Sequence, residues 1–360
     1  MKILLVTGPD ISLREPYSSG IEAFVVTLAN QLVRGGHSVD VIARDAEANV
    51  LFNVIDLGKG LFHRLSEAQQ LHRFAQMDMS EYDSIHYNLF IPEIYEIAAS
   101  FDTPAFLTLH SPADAARIRI YRRLASRTAI QFVAVSSRIK EQWDEALHRD
   151  IPIIHNGIDL SRWQVKSDSG GDYLLWSARI NADKNVVDAI HLANHLDMPL
   201  RITGRITDQK YFEQEVTPLL SDRIVYLGHT TQAELVNVAS HASAFVATAL
   251  WQEPFGLNTL EMLASGLPVV GYESAIPPDL QFPGVAIATS SQNWRNLIEP
   301  LERVRTTSPD RCRSFARTMN MEQMTDEYTA LYHSKLSVRS EVTPVLRSAD
   351  LLHYTAPVEL

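Results

Sequence analysis

Cysteine is almost missing from this chain. Cys312 is alone among 360 residues, so no disulfide can form within the chain. A lone cysteine of this kind reads as a small buried hydrophobe and fits a reducing cytoplasm. Long apolar runs are missing as well. No stretch approaches the ~20 residues that a membrane-spanning helix needs, and Met1-Lys2 leads straight into ILLVT without a secretory h-region. The expected location is therefore the cytoplasm. Positive charge is outweighed by negative, 32 Lys and Arg against 43 Asp and Glu. The net charge of -11 would repel a phosphate backbone, which argues against general nucleic-acid binding. No internal repeat of fixed period is visible, and no D-x-D pair stands in a turn suited to a metal. Metal independence is the expectation, with no cofactor.

What is present is alternation. Short apolar runs follow helical patterns almost from end to end, as parallel sheets covered by helices require. Strands are expected at 2–7, 38–43, 50–56, 84–87, 105–109 and 131–135, then at 173–178, 200–203, 224–227, 244–247 and 268–272. Helices are expected at 21–34, 92–100, 113–126, 138–146, 257–265 and 321–336, and Thr231-Gln-Ala-Glu234 reads as a capping box. A polar, glycine-rich stretch at 156–172 reads as a linker. The fold class expected is α/β: two doubly wound, Rossmann-like domains, 1–160 and 161–320, facing each other across a cleft. Residues 337–360, with Pro344 and Pro357, read as a tail.

The most informative stretch is Ala244–Tyr272, AFVATALWQEPFGLNTLEMLASGLPVVGY. Two strand-length runs flank a helix closed by Gly266 and Pro268. Glu253 lies in the turn before that helix and Glu261 inside it. Amides of Phe255, Gly256 and Leu257 at the helix start could donate to an anionic group such as a phosphate. Earlier, Gly20 opens a helix and would let a phosphate approach. His110 ends a strand and would point into the cleft. Arg179 and Lys184 follow the first strand of the second domain, where two cations can hold a diphosphate. Gly204 and Gly228 end further strands. The helix carrying Arg117, Arg119, Arg122, Arg123 and Arg127 is amphipathic; it suits a solvated basic face, an anionic acceptor or anionic lipid headgroups.

Taken together, E-P-F-G-L-x-x-L-E-M-L-A-S-G-L-P-V-V, T-L-H at 108–110, N-G-I-D at 156–159 and R-x4-K at 179–184 resemble the signatures of family 4 of the retaining glycosyltransferases. The usual glycine pair at the first turn is Ser19-Gly20 here, and Asn185 stands where glycine commonly follows the lysine.

The resemblance implies a GT-B fold and a nucleotide-sugar donor, with a UDP-sugar favoured. The implied reaction is retaining transfer of a hexose to an acceptor hydroxyl in carbohydrate biosynthesis. It implies that Glu253 contacts sugar hydroxyls, Glu261 the ribose, His110 the sugar, and Arg179 with Lys184 the leaving diphosphate. The base is implied to lie near Gly204 and Gly228. The departing phosphate oxygen would take the acceptor's proton on the same face, and the last helix would cross back to the first domain. The acceptor is left open between a lipid-linked glycan, a polysaccharide precursor and a small metabolite, with peripheral membrane contact through the 117–127 helix as one option. An epimerase or phosphorylase of GT-B type, a non-catalytic nucleotide-sugar binding module and a glycosidase-like use of the two glutamates are the competing readings.

Overall fold

The computed structural model describes residues 1–61, 63–98, 100–126, 130–163, 171–290 and 292–341. Part of the expected linker (164–170), Arg127 and the tail from 342 onward lie outside the described residues.

The first sheet contains β1 (Lys2–Val6), β2 (Ser38–Ile42), β3 (Asn53–Ile55), β4 (Ser84–Tyr87), β5 (Ala105–Leu109) and β6 (Ile130–Ala134). The second contains β7 (Tyr173–Ser177), β8 (Leu200–Thr203), β9 (Ile224–Tyr226), β10 (Ala242–Ala247), β11 (Val269–Tyr272) and β12 (Ala286–Thr289). Both are fully parallel and share one spatial order, third-second-first-fourth-fifth-sixth. That order reverses direction beside the first strand, and a crevice opens there at the carboxyl ends.

The strands read as unbroken apolar runs because helices cover both faces. In β1, Leu4 and Val6 join one core while Ile3 and Leu5 join another. In β10, Phe245 and Ala247 face one core and Ala244 and Val246 the other. β12 was not expected. It is four residues long, at a sheet edge and half-exposed, so its sequence carries little apolar signal. A short parallel pair, Ser12–Leu13 with Asp45–Ala46, is also too brief to be read from sequence.

The helices that matter below are α1 (Gly20–Arg34), α2 (Ala115–Ala125), α3 (Ser137–Leu147), α4 (Gln232–Ala239), α5 (Leu257–Ala264) and α6 (Met321–Glu341). Both halves of the Thr231–Glu234 capping box form at the start of α4, with the Thr231 amide donating to Glu234 Oε2 at 2.7 Å. α6 runs to Glu341, five residues past the expected end at 336, since no breaker occurs before Pro344.

The chain leaves the first domain through Asn156–Ile158 and returns beside it. Ile158 N donates to Met319 O and Met321 N to Ile158 O, each at 3.1 Å. A Cβ on Gly157 would stand 2.4 Å from Asn320 O, so this crossing tolerates only glycine. α6 then packs on α1, burying Met324, Tyr328 and Tyr332 with Phe24 and Leu28. Tyr332 OH meets His86 Nδ1 at 2.7 Å and Tyr328 OH meets Thr108 Oγ1 at 2.9 Å.

Candidate active site

Between the two sheets lies a cleft of about 420 Å³. Gly20, His110, Arg179, Lys184 and Gly204 line it, and so do Glu253, Phe255, Gly256, Leu257 and Glu261. Gly228 does not. It sits at φ +90° and its carbonyl accepts from Gly204 N at 2.9 Å, so it shapes the turn while His229 and Thr230 reach the cleft.

Each group arrives by a simple local device. Ser19 caps α1, its hydroxyl accepting from Ile21 N at 3.3 Å, which leaves Gly20 exposed at the cleft wall. His110 is the residue after β5, and its Nε2 lies 3.0 Å from Asn88 Oδ1 with the Phe24 ring edge-on at 4.8 Å. Burial pushes the His110 imidazole down to about 3, so the ring is neutral. Gly256 precedes α5 as its N-cap residue, at φ +76° and with no side-chain cap. The first amides of α5 are therefore left without a capping side chain.

The two cations are not equivalent. Arg179 is exposed and has no hydrogen-bond or ion-pair partner among the described residues. Lys184 is only 7% exposed; its Nζ bonds Glu253 Oε1 and stands 4.9 Å over the Trp251 ring. A cation and a carboxylate implied to hold different parts of a donor thus hold each other in the free protein. The Glu253 backbone is fixed from both sides: its amide donates to Ser274 O at 2.8 Å and its carbonyl accepts from Arg138 at 3.0 Å.

The start of α3 ties the domains together here. Ser136 Oγ donates to Pro254 O at 2.5 Å, and Ser137 Oγ donates to Asp279 at 2.7 Å. Burial would raise the Asp279 carboxyl, but bonds from His155 and Ser137 outweigh it and hold it at about 2.

Glu261 is buried one turn inside α5, with Gln232 Nε2 at 3.4 Å from its Oε1. Burial pushes its carboxyl up to about 8; the Gln232 bond opposes and the nearby Glu15 charge adds. The folded protein therefore holds this proton between about 4.5 and 8 while the unfolded chain loses it. Stability falls as pH rises through that window. Glu261→Gln is expected to melt with wild type at pH 5 and above it at pH 9; equal melting at both values in scanning calorimetry would refute the buried proton.

Sequence reasoning assigned no role to Glu22, Trp251, Asn88 or Gln232. Glu22 is buried at the start of α1, its carboxyl raised by burial against the hydrogen bond from Ser19, with Arg179 close enough to lower it slightly. Trp251 was visible two residues before Glu253, but nothing in the string marks a ring beneath a lysine. Asn88 follows β4 at a carboxyl end, the one signal that could have raised it. In α2, Arg117 pairs with Asp114 and covers the Phe90 ring at 4.3 Å, Arg122 donates to Ala146 O, and Arg123 meets Glu96. The apolar side of α2, Ile120, Tyr121 and Leu124, is spent on the core. Among the described residues no group of three His, Cys, Asp or Glu side chains could hold a metal, and no helix is long and apolar enough to cross a membrane.

A family model described as Glycosyltransferase Family 4 matches residues 18–162, and one described as Glycosyl transferases group 1 matches residues 157–319. The chain belongs to the family 4 glycosyltransferases. Its two facing parallel-sheet domains are the GT-B fold. Glycogen synthase of Mycobacterium tuberculosis is 32% identical over 130 residues, 34% of this chain and 31% of that protein. The match thus spans about a third of the curated relative's length. A glycosyltransferase from Rickettsia africae has a TM-score of 0.74 at 15% identity, covering 93% of this chain and 98% of that one. Anabaena HepE, solved with UDP and glucose, has a TM-score of 0.74 at 18% identity, covering 93% and 100%. Sucrose-phosphate synthase from Thermosynechococcus elongatus has a TM-score of 0.72 at 18% identity, covering 94% and 100%. Likenesses at this identity are likenesses of fold.

Proposed function

We propose that this family 4 glycosyltransferase moves a hexose from a nucleotide-diphosphate sugar, with a UDP-sugar favoured, to an acceptor hydroxyl with retention at the anomeric carbon. The observation that carries the reading is the convergence of Arg179, Lys184, the first amides of α5, Glu253, Glu261 and His110 on one cleft. A departing diphosphate needs fixed positive partners, which the cations and amides supply without reorganising. The anomeric C–O bond breaks and its electron pair leaves on the phosphate oxygen. The acceptor oxygen bonds from the same face, and its proton passes to that departing oxygen, so no separate base is needed. No metal or cofactor is required in this scheme. The preference for UDP draws support from HepE, a fold neighbour solved with UDP and glucose.

The acceptor is a lipid-linked glycan, a polysaccharide precursor or a small metabolite. The exposed Arg119, Arg122 and Arg123 would meet anionic headgroups by charge alone, since α2 presents no free apolar face. The test is a panel of UDP- and GDP-sugars with chelator present, scored by nucleotide release, with acceptors offered free and in anionic vesicles. Acceptor-dependent release of UDP and an α- or β-linkage matching the donor's are expected. A product formed without acceptor would favour an epimerase, and donor binding without any release would favour a binding module.

A further inference from the structure

His110 engages one ring nitrogen in a bond whose polarity follows from its surroundings. Asn88 is fully buried, and its backbone amide donates to Val6 O at 2.8 Å. Its side-chain Nδ2 lies 3.2 Å from the His86 carbonyl. A carbonyl only accepts, so the amide nitrogen belongs on that side. The amide oxygen is then what meets His110 Nε2 at 3.0 Å, and that nitrogen must carry the proton. In the neutral ring Nδ1 is left as a bare lone pair, and it has no hydrogen-bond partner among the described residues. The Phe24 edge at 4.8 Å limits turning of the ring.

We propose that Asn88 is a positioning residue: by accepting from Nε2–H it holds His110 in the tautomer that offers Nδ1 as acceptor to a hydroxyl of the bound sugar. The role deepens the glycosyl-transfer reading and rests on it. Without Asn88 the ring would divide between two tautomers, and one of them presents N–H in place of the lone pair, so the sugar hydroxyl would have to turn from donor to acceptor. Transfer would slow while nucleotide binding in the second domain would not change.

The tautomer is read directly from nitrogen NMR of histidine-labelled protein, with His110 assigned by loss of its signals in His110→Gln. A pyrrole-type Nε2 and pyridine-type Nδ1 are expected in the ligand-free wild type. Asn88→Leu is expected to give averaged nitrogen signals and a kcat lower by about tenfold, the scale of one hydrogen bond, with UDP affinity within about twofold of wild type, as an unchanged site requires. Protonated Nδ1 in the wild type would overturn the assignment, as would a folded Asn88→Leu with unchanged tautomer and kcat. Should the variant not fold, the wild-type spectrum still decides the tautomer. Wild-type protein that releases no nucleotide from any donor would sink the transfer reading and the catalytic role together, while the tautomer would remain readable.

Discussion

Replacing Lys184 by alanine is expected to lower kcat for nucleotide release by about 10²–10³-fold, the usual cost of removing one preorganised electrostatic partner of a developing negative charge. The side chain is nearly shut off from water, bonded to Glu253 and seated over Trp251. Its removal has a second consequence. Glu253, only 14% exposed at its side chain, would lose its ion-pair partner, and breaking a buried pair costs about 3–5 kcal/mol. The two effects separate in the double variant Lys184→Ala/Glu253→Gln. Thermal stability should recover because no orphaned carboxylate remains, whereas turnover should stay low. Undiminished release in Lys184→Ala at saturating donor would contradict the role of the lysine.

A stability loss of similar size is expected from Gly204→Ala. Gly204 adopts φ +139°, and a Cβ there would stand 1.8 Å from Ala178 O and 2.7 Å from the carbonyl carbon. Neither atom can yield, because Ala178 follows β7 and its amide donates to Thr203 O at 3.2 Å. Backbone strain of about 1–3 kcal/mol adds to overpacking of about 1–3 kcal/mol. At about 2–4 °C per kcal/mol for a domain of this size, the melting temperature should fall by roughly 10 °C. Gly20→Ala is the internal contrast. Its Cβ would meet only Leu257, at an ordinary 3.5 Å, so its melting temperature should match wild type. Calorimetry on both variants decides it: equal melting of the Gly204 variant and wild type would show that the turn relaxes freely.

Much of this was open to reading before any coordinates. Both faces of each sheet are covered, so the central strands had to be apolar throughout, and such runs are legible. Thr231 and Glu234 form their reciprocal bonds three residues apart, a range at which sequence spacing is spatial spacing. Legibility failed where burial was partial or a contact was long-range. β12 is half-exposed at an edge, and Gly228 supports the Gly204 turn from the next strand instead of lining the cleft. Asn88 meets His110 across 22 positions.

By itself the sequence determined which chemical groups stand at the carboxyl ends of the parallel strands, because strand, turn and helix starts are set by neighbours a few residues apart. Only the tertiary structure decided how those groups are partnered. Lys184 and Glu253 lie 69 positions apart, and their mutual neutralisation, like the tautomer of His110, depends on distances that no local pattern encodes.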